Sequence, residues 1–363
     1  MAINSVISNF IYTLFEKTLA VEENKSRDID APQKIIIIRQ HNQLGDLLAG
    51  VSLFRALKET YPETHITLFV SPFNYPGMVK NKYIDRIFIF DKRKLFTPAY
   101  FMRLKKILNE EYDLAIVPVV VSISFTSNFL ARLSNSKVRI GPLSLDGKVN
   151  KSAFFFDRRV PLDWRNHPDS NVSERSLDIV RPFRINTNNY HSEISFDNAE
   201  IKNVEKFLAD NNFDEKKYLV GLHVGAGKPP NRWSLQKYKS LMNRLNSAYS
   251  INFYITGSNA DKDDIDYLIN ELNFNVGLFI NRPIPEVAAL ISKSNLFISN
   301  DTGIMHVSGT TNTPQISIFG PTNPFNWAPI GPNKYFIRKS ELIEDVAVDD
   351  VYQLSNKILN REQ

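Results

Sequence analysis

The chain contains no cysteine among its 363 residues, so disulfide bonds and thiolate chemistry are excluded. It lacks any apolar run of the roughly 18–20 residues that a membrane-spanning helix needs. Its start has neither the basic region nor the plain apolar core of a signal peptide. No G-x-G-x-x-G follows the first apolar strand, which argues against a nicotinamide oxidoreductase. These absences favour a cytoplasmic protein whose chemistry depends on side chains other than cysteine.

Positive charge is concentrated in the first half of the chain. Residues 1–160 carry 23 Lys and Arg against 15 Asp and Glu, whereas the remainder carries 21 against 24. The surplus predicts an anionic partner for the amino-terminal half. Neither a helix with a dense Lys/Arg stripe nor an RNA-binding signature is present, so we expect no nucleic-acid partner.

Two stretches alternate strand-like apolar runs with helix-like segments, which predicts parallel, doubly wound sheets of the α/β class. The first stretch begins at Lys34–Ile38 and the second at Tyr218–Val224. Residues 157–190 between them are mixed and contain several Pro and Asn, so we place the domain boundary there. The predicted parts are an N-terminal amphipathic helix and linker (1–31), a Rossmann-like domain (32–175), a second Rossmann-like domain (190–345) and a C-terminal helix (346–363).

The first twenty residues form one apolar helical stripe. Such a stripe suits a membrane interface, and it equally suits packing on its own domain or on a partner chain. Only Glu16 and Lys17 charge the polar face, which leaves both interpretations open. The stripe consists of Val6, Ile7, Phe10, Ile11, Leu14, Phe15 and Leu19.

The run from Ser299 to Gly331 is the most informative part of the sequence. A buried strand ends in Asn-Asp-Thr-Gly, a helix follows, and a second strand ends in Gly-Pro-Thr. Backbone N–H groups at a helix start suit a phosphate, and polar turns at the carboxyl ends of adjacent strands form a crevice where ligands bind. Asp301 and Thr302 are also ordinary helix-capping residues. The sequence therefore supports a structural and a phosphate-binding interpretation.

Two other segments follow predicted strands. In Arg39–Asp46, a glycine at position 45 lets the backbone turn, and Asp46 serves either as an N-cap or as a general base. In His223–Ser234, small residues allow close backbone approach, while Lys228 and Arg232 offer positive charge to a diphosphate.

The three segments together resemble glycosyltransferase family 9, the heptosyltransferases of lipopolysaccharide core assembly. The resemblance rests on Leu-Gly-Asp after an apolar strand, on His-x-Gly-Ala…Arg-Trp, and on Asn-Asp-Thr-Gly…Met-His…Phe-Gly-Pro-Thr…Trp-x-Pro. It extends from about Lys34 to Pro332.

The resemblance implies a glycosyltransferase B-type fold, in which two Rossmann-like doubly wound domains face a cleft. It implies an inverting, metal-independent enzyme without a cofactor. The donor, ADP-heptose in most members, lies on the C-terminal domain, and an acidic lipid A–Kdo acceptor approaches the N-terminal domain. We therefore expect a peripheral enzyme at the cytoplasmic face of the bacterial inner membrane.

The resemblance also assigns roles to individual residues. Asp46 is the base that deprotonates the acceptor hydroxyl, with Gly45 and His41 on the acceptor side. The residues that match donor-binding positions are Gly225, Ala226, Lys228, Arg232, Arg282, Asp301, Thr302, Gly303 and His306.

The chain departs from the family pattern at Asn231, where many members have lysine. Either Lys228 reaches in from a longer loop, or Arg232 alone neutralises the leaving group. Two alternatives remain open: a family member with a hexose or N-acetylhexosamine donor, and a nucleotide-sugar-binding protein without turnover.

Two Asp-x-Asp pairs have the composition of a metal–diphosphate site. They are Asp261/Asp263 and Asp264/Asp266. We interpret them as part of a solvent-facing helix, and no histidine has a zinc-site spacing, so we expect no metal.

Overall fold

The computed structural model describes residues 12–360, which divide into two compact units between Tyr190 and His191. Each unit is built around one mostly parallel sheet. The α/β class and the doubly wound sheets are therefore confirmed. The finer domain limits drawn from the sequence remain predictions.

The first unit holds a seven-stranded sheet with the order β3-β2-β1-β4-β5-β6, and β7 pairs with β5. All pairs are parallel except β5 with β6. The strands are β1 (Lys34–Arg39), β2 (His65–Val70), β3 (Arg86–Ile89), β4 (Tyr112–Ile116), β5 (Ser136–Leu145), β6 (Lys148–Val149) and β7 (Arg158–Leu162). The helices are α1 (12–19), α2 (Leu44–Ala49), α3 (Val51–Thr60), α4 (Pro98–Leu108), α5 (Phe125–Leu133) and α6 (Val172–Arg175).

The second unit holds a six-stranded, all-parallel sheet with the order β10-β9-β8-β11-β12-β13. The strands are β8 (Tyr218–His223), β9 (Ile251–Gly257), β10 (Val276–Ile280), β11 (Leu296–Asn300), β12 (Gln315–Ile318) and β13 (Lys334–Ile337). The helices are α7 (Asn198–Asp210), α8 (Leu235–Ala248), α9 (Lys262–Asn270), α10 (Ile284–Ser292), α11 (Gly303–Gly309), α12 (Pro324–Trp327) and α13 (Val348–Leu359).

In both sheets the strand order reverses beside the first strand, β1 or β8. Neighbouring strands there lead into helices on opposite faces, so their carboxyl ends leave a crevice between the outgoing loops. The buried apolar runs, such as Ile35–Ile38 in β1, form strands because helices cover both faces of a parallel sheet. The sequence segments of interest follow β1, β8 and β11.

The N-terminal helix α1 packs partly on its own unit. The ring of Phe15 lies 5.9, 5.2 and 6.3 Å from the rings of Phe125, Phe129 and Phe155. Leu14 of the same stripe is exposed. For Phe15 the packing interpretation therefore holds, and the membrane interpretation of the stripe remains a prediction. The stripe residues outside the described part of the chain are Val6, Ile7, Phe10 and Ile11.

Among residues 12–360, no helix combines the length and the apolar character that crossing a membrane requires.

Candidate functional site

The second unit gathers most of the predicted site at the carboxyl ends of β8 and β11, where its strand order reverses. The loop after β8 carries Gly225 to Arg232, and the turn after β11 carries Asp301 and Thr302. The next strand, β12, ends at Ile318, and the loop after it carries Thr322. The three loops therefore leave the same edge of one sheet.

The side chain of Asn300, the last residue of β11, holds the loop after β8 in place. Its amide donates to the carbonyls of Val224 (2.7 Å) and Gly225 (3.3 Å). Its oxygen accepts from the backbone N–H of Trp233 (3.2 Å) and the hydroxyl of Tyr238 (3.0 Å). Asn300 is fully buried, so these bonds satisfy an amide that would otherwise destabilise the core. We had not predicted this role; the one available signal was a polar residue ending an apolar strand.

The glycines of the loop after β8 have different surroundings. A Cβ atom on Gly225 would lie 2.2 Å from Oδ1 of Asp261, whereas one on Gly227 would meet nothing within 4 Å. Position 225 therefore has to be glycine, because any larger side chain would collide with Asp261. Ala226 is buried, and its carbonyl accepts from Nε of Arg232 at 2.9 Å.

The two cations of this loop are in different situations. Nη1 of Arg232 forms an ion pair with Oδ2 of Asp264 at 2.9 Å, and its side chain is half-buried. Lys228 is exposed and lies close enough to Asp301 for its charge to lower the pKa of that carboxyl. Asp264 already neutralises the charge of Arg232, whereas the ammonium of Lys228 faces solvent beside the turn after β11.

Asp301 connects the three loops. Its Oδ2 accepts from Nδ2 of Asn231 at 2.9 Å, and the hydroxyl of Thr322 also hydrogen-bonds its carboxylate. Burial raises the pKa of Asp301, while Thr322 and Lys228 lower it. Asn231, the residue that departs from the family pattern, thus donates to the carboxylate on which these loops converge.

Helix α11 begins at Gly303, with Thr302 in the N-cap position. Thr302 therefore lies where the capping interpretation places it, but its side chain makes no capping hydrogen bond. His306 is buried with its ring edge-on to Trp327, at 6.2 Å between centroids. Burial lowers the pKa of His306 to about 4, so its imidazole is neutral at pH 7.

Arg282 lies after β10, two strands away from β8 in the same sheet. Its Nη1 is 3.8 Å from Oε2 of Glu286, and its guanidinium lies 5.2 Å from the ring centre of Phe279. Among the described residues, Arg282 makes no hydrogen bond or ion pair with Asp301, Asn231, Lys228 or Thr322. Its place in the donor site remains a prediction.

In the first unit, Asp46 lies near the carboxyl end of β1. Helix α2 starts at Leu44 with Gln43 as its N-cap, so the N-cap interpretation of Asp46 is wrong. Gly45 lies inside the first turn of α2 rather than in a tight turn before it.

The carboxylate of Asp46 is buried and forms an ion pair with Nη2 of Arg39 at 3.2 Å. It lines a narrow crevice together with Arg39, Pro118 and Val120. Nη1 of Arg39 also donates to Nδ1 of His41 at 2.5 Å. Burial, Arg39 and Lys92 lower the pKa of His41 to about 4, so the ring is a neutral acceptor. Arg39 therefore links two predicted residues, a role we had not foreseen.

The Asp-x-Asp pairs have structural contacts. Asp261 is buried and precedes α9, accepting from the backbone and hydroxyl of Ser258, so placing it in a solvent-facing helix is wrong. Asp264 holds Arg232. Within residues 12–360, no three His, Asp or Glu side chains are grouped as ligands for a metal ion.

Solved structures of similar fold cover nearly the whole chain. A glycosyltransferase family 9 protein from Veillonella parvula superposes with a TM-score of 0.80 at 16% identity, covering 93% of this chain and 100% of that one. ADP-heptose lipopolysaccharide heptosyltransferase II of E. coli superposes with a TM-score of 0.74 at 18% identity, covering 91% and 99%. The fold is thus the glycosyltransferase B type, with two Rossmann-like domains.

The sequence comparisons identify the family. A profile described as glycosyltransferase family 9 (heptosyltransferase) matches residues 101–351. Lipopolysaccharide heptosyltransferase 3 from Escherichia coli is 27% identical over 303 residues, which cover 80% of this chain and 84% of that protein. The chain belongs to glycosyltransferase family 9 and is a glycosyltransferase.

Proposed function

We propose that this protein transfers a heptose from ADP-heptose to the Kdo or heptose residues of the lipopolysaccharide inner core. The observation that carries the proposal is the group around Asp301 at the switch point of the second sheet, where Asn231 and Lys228 from the loop after β8 and Thr322 from the loop after β12 converge on its carboxylate. Both the similar Escherichia coli protein and the superposed structure bear the name of lipopolysaccharide heptosyltransferases.

The donor diphosphate binds beside Lys228 and the turn from Asp301 to Gly303. The departing diphosphate gains negative charge as the bond between the anomeric carbon and the phosphate oxygen breaks. A cation and backbone N–H groups already in place stabilise that charge without reorganisation. The exposed Lys228, which has no acidic partner as close as that of Arg232, is the cation best suited to this role.

Asp46 accepts the proton of the acceptor hydroxyl while the hydroxyl oxygen attacks the anomeric carbon. The electron pair of the broken bond leaves with ADP. Because the acceptor oxygen attacks the face opposite the departing ADP, the configuration inverts in one step and no covalent enzyme intermediate forms. The ion pair with Arg39 fixes the orientation of the Asp46 carboxylate. No step of this scheme uses a metal.

The acceptor is an acidic lipid A–Kdo molecule, which fits the positive surplus of residues 1–160. Such an acceptor lies in the bacterial inner membrane. We therefore propose that the enzyme works at the cytoplasmic face of that membrane as a peripheral protein.

Replacing Asp46 tests the proposal directly. Asp46→Asn keeps an oxygen that accepts from Arg39 but removes the base, so transfer should fall by about 100- to 10,000-fold. Donor affinity, measured by calorimetry, should be unchanged. Product is measured by mass spectrometry on a defined Kdo-lipid acceptor, and Asp28→Asn, at an exposed position, is the matched control. Undiminished transfer by Asp46→Asn would remove Asp46 from the mechanism.

A donor screen tests the sugar nucleotide separately. Binding stabilises the folded state in proportion to saturation, so ADP-heptose should raise the melting temperature more than UDP- or GDP-sugars do. A larger rise with a UDP- or GDP-sugar would point to a different donor within the same family.

A further inference from the structure

The segment between β3 and β4 combines positive charge with exposed apolar side chains. Residues 92–109 contain six Lys and Arg and no Asp or Glu. Three of its large apolar side chains are exposed as well. We call this surface the basic-aromatic patch; it consists of Lys92, Arg93, Lys94, Phe96, Phe101, Met102, Arg103, Lys105 and Lys106.

The exposure of the apolar side chains is large. Phe96 is 98% exposed, Met102 65% and Phe101 52%. A soluble domain gains stability by burying such side chains, and clustered exposed ones mark a surface that contacts a partner. The segment does have a core-facing side, because Leu104, Ile107 and Leu108 of α4 are buried.

Hydrogen bonds hold the patch in this conformation. The hydroxyl of Tyr100 accepts from the backbone N–H of Asp91 at 2.7 Å and donates to the carbonyl of Ile89 at 3.1 Å. The carboxylate of Asp91 in turn accepts from the backbone N–H of Arg93 at 3.0 Å. The outward position of Phe96 therefore belongs to a fixed turn that leads into α4.

The cations lie beside the apolar side chains. On α4, Lys105 follows Phe101 by four residues and Lys106 follows Met102 by four, so each pair shares one side of the helix. Arg93, Lys94 and Arg103 line a hollow of about 430 Å³ next to the patch. Apolar side chains flanked by Lys and Arg match a bilayer whose acyl region lies beneath anionic headgroups.

We propose that the basic-aromatic patch docks the enzyme onto an anionic membrane surface. Phe96, Phe101 and Met102 enter the headgroup region. The surrounding cations contact lipid phosphates, apart from Arg93, whose guanidinium is paired with Asp91 at 3.0 Å. The inference rests on the proposed function in one respect: an enzyme whose acceptor is a lipid has to reach a membrane surface. The basic-aromatic patch is a different surface from the N-terminal stripe. In that stripe, Phe15 packs against the ring of Phe129 at 5.2 Å.

Vesicle co-sedimentation of the full chain tests the proposal. Wild-type protein should bind vesicles of phosphatidylethanolamine with phosphatidylglycerol and should not bind vesicles of phosphatidylcholine alone. Phe96→Ser with Phe101→Ser should weaken binding at least about tenfold, and so should Lys105→Glu with Lys106→Glu. Added salt should weaken the binding that remains in the phenylalanine variant more than that in the lysine variant.

Matched controls exist elsewhere on the surface. Val149→Ser removes an apolar side chain that is 75% exposed, and Lys216→Glu with Lys217→Glu reverses two exposed charges in the second unit. Both should bind like the wild type. Every variant changes exposed residues, so melting temperatures should agree, which separates loss of docking from loss of folding.

Three results would overturn the proposal. One is full vesicle binding by both patch variants. Another is loss of binding on deletion of residues 1–11 while the patch variants bind normally. A third is light scattering that shows a dimer in solution that the patch variants dissociate, because the patch would then join two copies of the chain.

Transfer to a deacylated, water-soluble acceptor separates this inference from the proposed function. The patch variants should retain that transfer while losing vesicle binding. If the wild type transfers no heptose in solution yet binds anionic vesicles through the patch, the proposed function fails and the docking surface stands.

Discussion

At the residue scale, the site depends on how each charged group is paired. Arg232 has a carboxylate partner in Asp264 at 2.9 Å, and Asp46 has a guanidinium partner in Arg39 at 3.2 Å. Lys228 is exposed beside Asp301. Asn231, which stands where the family pattern has lysine, donates to Asp301. We expect Lys228, three residues earlier, to supply that positive charge, with Arg232 as the alternative.

Replacing Lys228 should separate donor binding from stability. Lys228→Ala removes a charge-assisted contact to the diphosphate, so donor affinity measured by calorimetry should fall by about tenfold or more, equivalent to about 1.5 kcal/mol or more. The melting temperature should not change, because the side chain is exposed. Lys216→Ala, also exposed, is the control.

Arg232→Ala is the informative comparison for Lys228→Ala. It removes the ion pair with Asp264 and the bond to the carbonyl of Ala226, so it should lower the melting temperature. Unchanged donor affinity in Lys228→Ala, with affinity lost in a well-folded Arg232→Ala, would assign the leaving-group charge to Arg232.

At the scale of elements, the structure corrects several sequence-based boundaries. The sequence from Asp46 to Thr60 predicts one helix, but the structure forms two, α2 and α3, joined at Gly50, whose N–H donates to the carbonyls of Asp46 and Leu47. The apolar run from Leu114 to Val121 predicts one strand, but β4 ends at Ile116, because Pro118 has no N–H to continue the ladder. Apolar periodicity locates such elements well but marks their ends poorly.

The sequence of β5 is typical of a turn rather than a strand, because Gly141 and Pro142 lie within it. A Cβ atom on Gly141 would lie 2.2 Å from the ring of Phe156, so only glycine fits there. The pairing of β5 with β7 shifts register between Pro142 and Ser144, an irregularity that tolerates proline.

The loop after β8 offers a matched pair of glycine substitutions. Gly225→Ala places a methyl group against Asp261 and should lower the free energy of unfolding by about 1–3 kcal/mol. Gly227→Ala meets open space and should change it by less than about 0.5 kcal/mol. Chemical denaturation of both variants measures the difference. Equal stabilities would mean that Gly225 is not required by packing in the folded protein.

At the scale of the whole molecule, buried histidine makes stability depend on pH. Burial lowers the pKa of His306 from 6.5 to about 4. The unfolded chain therefore takes up a proton first on acidification, and the free energy of unfolding should fall between about pH 6.5 and pH 4. The contribution of His306 should be a loss of about 2 kcal/mol between pH 7 and pH 5.

Urea denaturation at several pH values measures this dependence. His306→Gln should show a shallower fall than the wild type, whereas His65→Gln, at an exposed position, should keep the wild-type slope. Comparing the slopes separates the effect of the imidazole from that of Asp301. The raised pKa of Asp301 makes the free energy of unfolding rise, not fall, on acidification. Parallel curves for His306→Gln and the wild type would contradict the assignment.

The sequence by itself determined the two parallel sheets, the family and the segments that form the site. Those features are local: apolar runs form buried strands, and polar glycine turns end them, within a few residues. Only the tertiary structure decided which side chains meet. Asn231 reaches Asp301 across 70 residues of sequence, and Asn300 reaches Val224 across 76. Periodicity carries no information on such pairs, because they form only when strands distant in sequence become neighbours in a sheet.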